Sequence, residues 1–315
     1  MRLYAGGSQE FVRNSSHNHI AEKLRAAFRT QFRYEPPPSE YRSWRESLRA
    51  LSQVFTEANL DDHGVILEYQ LPLTSKRLDC LITGHDDERN SSAVIVELKQ
   101  WDRSELSVSD DLVRTFVGGS QRDVLHPCAQ ANQYRRYLAD MHESFHGDDP
   151  VRLSACAYLH NYNPVTDDAI LAPRFDDIRG IAPLYTADAV PRLVEFLGQR
   201  LEGGDGMPVL DRIEKSCFRP AKRLLDHVAG VIGREPRFVL LDEQQVVFSR
   251  VLAQVRAGLD HHLKHVFLIH GGPGTGKSVL AINLMSEICA AHGVETPPNR
   301  TIPRFAGRRA PSWTW

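Results

Sequence analysis

Two groups of residues have the types and spacing that chemistry requires. In the first, Gly271, Gly272, Pro273, Gly274, Thr275, Gly276, Lys277 and Ser278 follow directly on the apolar run Val266 to Ile269 and His270. The glycines let successive backbone N–H groups turn inward on a phosphate, and Lys277 brings charge to the β- and γ-phosphates. Ser278 offers a hydroxyl to Mg²⁺ at the start of a helix whose dipole favours anions. The expected ligand is ATP with Mg²⁺. In the second group, Asp79 is followed by the triplet Glu97-Leu98-Lys99 at the end of an apolar run. Strand periodicity puts Glu97 and Lys99 on one face, and a paired neighbouring strand can bring Asp79 beside them. Asp79 and Glu97 can then hold a divalent metal, with the Leu98 carbonyl as a third oxygen ligand. Lys99 can position or deprotonate a water for attack on a phosphodiester. The plain alternative is a solvated acid–base pair on an edge strand.

Elements must hold these residues in place, and the pattern of apolar residues supplies them. Residues 18–33 carry Ile20, Leu24, Ala27, Phe28 and Phe32 at helical spacing and are closed by three prolines. Ser39 can cap a second helix that runs to about Ala58, with Trp44, Leu48, Leu51, Val54 and Phe55 on one side. Three strand-like runs follow, Val65 to Leu71, Leu78 to Thr83 and Ala93 to Leu98. Next come a loop containing Gly118-Gly119, a helix from about Pro127 to Met141 and a strand from Leu153 to Leu159. Residues 187–202 read as a helix that stops at Gly203-Gly204, and 209–232 as a connecting helical segment. The expected division is 1–34, an N-terminal helical segment; 35–202, the unit with the strand carboxylates; 203–236, a linker; 237–293, the nucleotide-binding unit; and 294–315, an irregular tail.

Composition narrows the class. Of 315 residues, 42% are hydrophobic and 25% charged, as in ordinary globular chains. No apolar run reaches a membrane span and the first residues lack a signal-peptide core, so the expectation is a cytoplasmic protein without a membrane partner. The five cysteines, at 80, 128, 156, 217 and 289, include no C-x-x-C pair, which argues against zinc and against a disulfide frame. A net charge of −2 makes no bulk electrostatic case for nucleic acid, so any basic groove must come from local clustering.

The helix, three strands, helix and strand around Asp79, Glu97 and Lys99 resemble the PD-(D/E)XK nuclease superfamily over roughly residues 35–165. The resemblance implies Asp79 and Glu97 as metal ligands and Lys99 as the catalytic lysine. It also implies an acid on the preceding helix, for which Glu40 and Glu46 both qualify. A helicase-associated branch of that superfamily carries Gln-x-x-x-Tyr on the next helix, which Gln133 and Tyr137 match. Gln130 and Tyr134 fit the same spacing, and either pair shares one helix face.

Upstream of the glycine-rich loop, Leu241-Asp-Glu-Gln-Gln245 resembles the Q-motif of superfamily 1 helicases, in which a glutamine reads the adenine edge. Gln245 has the matching offset, with Gln244 next. Together the two halves resemble bacterial proteins with a Schlafen group-three type DNA/RNA helicase domain. The implied fold is α/β: a PD-(D/E)XK restriction-endonuclease-like domain, then the first βα unit of a RecA-like P-loop NTPase domain. The implied function is a metal-dependent nuclease fused to an ATP-binding module, and the partner is nucleic acid, DNA ahead of RNA, with homo-oligomerisation left open. A complete NTPase needs a later strand ending in an acid that holds Mg²⁺. After Lys277 only Glu287 and Glu295 remain, neither at a strand end, and the tail from Thr296 is rich in Pro and Arg. The expectation is therefore a chain cut short or frame-shifted before Walker B and not a working helicase. The alternative is a non-catalytic nucleic-acid or partner-binding protein with a vestigial P-loop.

Overall fold

Ala93, Val94, Ile95 and Val96 are consecutive and all fully buried, which requires a strand covered on both faces. That strand is β4 (Ser91–Lys99), at the centre of a six-stranded mixed sheet in a computed structural model. The structure describes residues 2–71, 74, 76–217, 239–260, 263, 265–272 and 275–292. The sheet order is β1 (Tyr4–Gly7), β2 (Gly64–Gln70), β3 (Arg77–His85), β4, β8 (Arg152–Leu159) and β9 (Leu184–Thr186). The first four pair antiparallel; β8 and β9 join in parallel. The chain is thus α/β, with helices on both faces.

One core lies between the sheet and α1 (Ser8–Ser16), α2 (His19–Phe32), α3 (Pro38–Glu57) and α6 (Val190–Leu201). A second lies on the opposite face against α4 (Pro127–Met141), α5 (Asp176–Ile181) and α7 (Gly206–Lys215). The α3 and α4 helices and the strands β2, β3, β4 and β8 fall where the apolar spacing places them. Strand β1 and helix α1 do not, because Tyr4-Ala-Gly-Gly7 has almost no side chain to show a period and pairs only as an edge. The span read as a loop around Gly118-Gly119 is a hairpin instead. Its strands β6 (Leu112–Val117) and β7 (Ser120–Leu125) form a small sheet with β5 (Glu105–Leu106). Gly118 and Gly119, at φ +61° and +84°, make the two-residue turn that strand twist favours.

The connection through α7 depends on close backbone approach. Gly206 accepts a 2.8 Å hydrogen bond from the Thr83 hydroxyl, and a Cβ there would overlap the Thr83 carbonyl, the Gly64 nitrogen and the His63 Cα. These are backbone atoms that cannot step aside. We expect Gly206→Ala to lose about 1–3 kcal/mol or more, read as a fall of roughly 5 °C or more in thermal midpoint. Gly198→Ala, in the open interior of α6, should hold or raise it.

Beyond the sheet, α8 (Glu243–Asp260) and α9 (Lys277–His292) pack on each other through Val251, Leu280 and Leu284. The apolar run before the glycine-rich loop was expected to be a strand. It makes no sheet pairing, and Val266 and Leu268 are 88% and 81% exposed. No described strand lies alongside to bond its backbone. Most of the expected connecting segment, Pro273, Gly274 and the tail 294–315 lie outside the described residues. Among described cysteines, Cys80, Cys128 and Cys156 are buried free thiols and Cys217 is exposed. No helix among the described residues is long and apolar enough to cross a membrane.

Candidate active site and nucleotide loop

Antiparallel pairing sets Cys80 opposite Val96, so Asp79 lies one residue beyond the paired stretch, next to the end of β4 that carries Glu97. Glu97 and Lys99, two residues apart on β4, share a face. The contacts follow. Asp79 Oδ2 accepts from the Leu98 backbone N–H at 2.7 Å, and Lys99 Nζ donates to Glu97 Oε1 at 2.8 Å. Glu97 is only 2% exposed, and its Oε2 is buried with no hydrogen-bond partner. A buried carboxylate oxygen left so is costly and needs a reason.

The local backbone departs from regular strand geometry. Ile66 and Leu81 face the α4 side and Leu67 and Cys80 the α3 side, yet Tyr69 and Leu78 face α4 again. Alternation therefore breaks at Glu68 and Asp79. Glu68 takes the strain, with φ +53° in a non-glycine residue. Its Oε1 accepts from Trp44 Nε1 at 2.7 Å, and Arg77 reaches its Oε2 at 3.3 Å and also pairs with Glu40. These residues border a cavity of about 570 Å³ that also touches Asp79, Lys76 and Tyr134, with the hairpin tip at Gly118 on its rim. Of the two candidate helix acids, Glu40 lies on this cavity; Glu46 is solvent-exposed.

Electrostatics follow from burial. Burial first, and Asp79 second, push Glu97 up to about 8. Burial likewise raises Asp79 against the pull of Lys99. Glu68 is also pushed up to about 8, by burial and then by Asp79. For Lys99 burial works against the charge, but Glu97 and Asp79 outweigh it and hold the ammonium above the usual lysine range. Buried acids that repel one another around one retained cation are characteristic of functional sites. Among the described residues, no group of three or more His, Cys, Asp or Glu side chains is arranged to hold a metal.

On α4 the two glutamine–tyrosine registers separate. Gln130 Nε2 donates to the Tyr134 hydroxyl at 2.9 Å, and Tyr134 is buried on the cavity wall. Tyr137 packs partly buried beside the second core and is not on that wall. Gln133 does something else: its Oε1 accepts from the Asp242 backbone N–H at 3.2 Å. Similarly, Gln244 rather than Gln245 reaches the glycine-rich loop, donating to the Thr275 carbonyl at 3.0 Å. Gln245 donates to Asp111 at 3.1 Å.

In that loop Gly276 has φ +75°, a conformation open to glycine, and α9 begins at Lys277 with Ser278 exposed in its first turn. Lys277 Nζ folds back onto the Gly271 and Gly272 carbonyls at 2.8 and 2.6 Å, and Thr275 Oγ1 donates to the Gly272 carbonyl at 2.9 Å. The loop is thus closed on its own lysine. Residues 264–304 match the family model of the Schlafen group 3, DNA/RNA helicase domain. No curated protein and no solved structure matches the chain.

Glu68, Lys76, Arg77 and Asp242 escape the sequence reading. Glu68 leaves one signal, a lone charge inside the otherwise apolar run Val65 to Leu67 and Tyr69. Asp242 leaves none, since only tertiary folding brings it to Lys76 and Tyr134 on the cavity wall.

Proposed function

We propose that the chain is a metal-dependent nuclease of the PD-(D/E)XK type joined to a helicase-type ATP-binding module. The observation that carries this reading is the orphaned Glu97 Oε2, on a carboxylate held by Lys99 and close to Asp79, which itself lines an open cavity. The donor set fits Mg²⁺, which takes one or two protein carboxylates and leaves its other positions to waters and substrate phosphate oxygens. Asp79, Glu97 and the Leu98 carbonyl would hold it. When bound, it would supply charge stabilisation to the phosphodiester oxygens and a more acidic water. Lys99, kept protonated by two acids, serves as a cation that orients the nucleophile and offsets developing charge. Trp44 and Arg77 fix Glu68, and Arg77 fixes Glu40, on the wall of the cavity. DNA is favoured over RNA as substrate. The test is cleavage of labelled single- and double-stranded DNA and RNA, with and without Mg²⁺, by the native chain and by Lys99→Ala. Equal cutting by both proteins overturns the assignment.

The glycine-rich loop supports the ATP-binding half, with Gly271 to Ser278 holding the phosphates, Ser278 the Mg²⁺, and Gln244 or Gln245 the base. Charge-assisted hydrogen bonds contribute about 1.5–3 kcal/mol each. We therefore expect Lys277→Ala to weaken binding of a fluorescent ATP analogue roughly 10- to 150-fold, while cleavage in the absence of ATP is unchanged. An unaltered affinity would remove Lys277 from the phosphate site. A non-catalytic nucleic-acid-binding role is the second reading, and retained binding without any metal-dependent cutting would favour it.

A further inference from the structure

The carboxylates that make the cavity suited to a metal also make it repel nucleic acid. Glu40, Glu68 and Asp79 line it, with Glu97 close to Asp79, and a phosphodiester must approach against them. A cation at the mouth is needed to bring phosphate in. Arg77 is taken by Glu40 and Glu68, and Lys99 by Glu97. Lys76 is different. It lies on the cavity wall, yet its ion pairs are with Asp242 at 3.0 Å and Glu243 at 2.5 Å, acids that come from the segment leading into α8.

Asp242 sits as a bound anion sits. Its two carboxylate oxygens accept from the Tyr134 hydroxyl at 3.2 and 3.0 Å while Lys76 supplies the charge. Its side chain is only 15% exposed. Gln133 clamps its backbone N–H, and the residue takes φ +38°, a left-handed conformation away from the low-energy regions. Carboxylate and phosphate oxygens ask for the same donors, an ammonium and a hydroxyl.

We propose that Lys76 and Tyr134 form a phosphate-binding subsite for nucleic acid beside the Asp79–Glu97 pair, and that Asp242 occupies it as an internal anion which the phosphodiester must displace. The proposal rests on the nuclease reading, since it supplies the substrate grip which that reading lacks. It also assigns a purpose to Tyr134 that core packing alone leaves unexplained: the hydroxyl is a donor to an oxyanion. Glu243 is the second competitor, 79% exposed and so screened by solvent.

The experiment is anisotropy titration of labelled single- and double-stranded DNA and RNA oligonucleotides in EDTA. It uses the full chain and its Asp242→Asn, Asp242→Asn/Glu243→Gln, Lys76→Ala and Tyr134→Phe variants, each with a thermal melt. We expect Asp242→Asn to bind about tenfold tighter and the double variant tighter still. Lys76→Ala should bind about tenfold more weakly and lower the salt slope by about one phosphate. Tyr134→Phe should weaken binding without unfolding the protein. If the Asp242 variants melt normally and bind no tighter, the internal anion is overturned. If they do not fold, the answer comes from Lys76→Ala and Tyr134→Phe, and unchanged affinity and salt slope in both overturn the subsite. Any of these failures leaves the nuclease reading standing if Mg²⁺-dependent cutting still requires Lys99. Absence of binding by every protein, together with no cutting, overturns that reading and the subsite with it.

Discussion

On the nuclease reading we expect Glu97→Gln to lower Mg²⁺-dependent cleavage on the order of 10³-fold while the protein stays folded. The substitution keeps the side chain's size inside a site that is 2% exposed, so little packing is lost. What changes is the charge. The unpartnered Oε2, the oxygen free to meet a cation, becomes part of a neutral amide. Lys99 loses its closest acid but keeps the field of Asp79. Asp79→Asn should give a similar loss and also weakens the bond that Asp79 Oδ2 accepts from the Leu98 N–H. Single-turnover cleavage at saturating protein measures both. A Glu97→Gln protein that cuts at the native rate would mean that the strand carboxylates are structural.

On the same reading we expect divalent-cation affinity to rise with pH up to about 8, by up to tenfold per unit, and to level above it. Burial and Asp79 raise Glu97 to about 8, and Asp79 is itself raised, so the two acids keep a proton that a cation must displace. Release of one proton per ion gives a slope of about one in log affinity. The groups that set this balance are Asp79, Lys99 and Asp242. The sign for the metal-free protein is opposite. Glu97's folded value lies above its ordinary 4.5, so its contribution to stability is fully present below about 4.5 and is lost as pH rises through about 8. Mg²⁺ should therefore raise the thermal midpoint most above pH 8 and least below pH 6. Isothermal titration at several pH values, with Glu97→Gln as the flat control, checks the slope. A pH-independent affinity would place the cation elsewhere.

Much of the sheet is legible in the order of residues because burial on both faces leaves a continuous apolar run, as in Ala93 to Val96. Helix α3 is legible for a related reason: Trp44, Leu48, Leu51 and Phe55 recur at the spacing of one face. Edges are not legible. Strands β1 and β7 are short and glycine-rich or polar, and pair only because neighbours offer free backbone groups. The apolar run at Val266 shows the reverse, strand-like composition without a described partner.

The same division runs through the candidate site. Sequence by itself determines that Glu97 and Lys99 share a strand face and that Asp79 lies on a neighbouring strand, because these depend on the apolar pattern and spacing within single elements. Tertiary structure alone decides between Tyr134 and Tyr137 and between Gln244 and Gln245. Residues three or four apart in a helix share a face, so only docking of the helix tells which of them meets the cavity or the loop. It also decides Glu68, where a positive φ breaks the two-residue alternation that sequence reading assumes. Asp242 is decided in the same way: its carboxylate meets Lys76 and Tyr134 because the start of α8 docks on the unit that carries the six-stranded sheet, a long-range contact that no local period encodes.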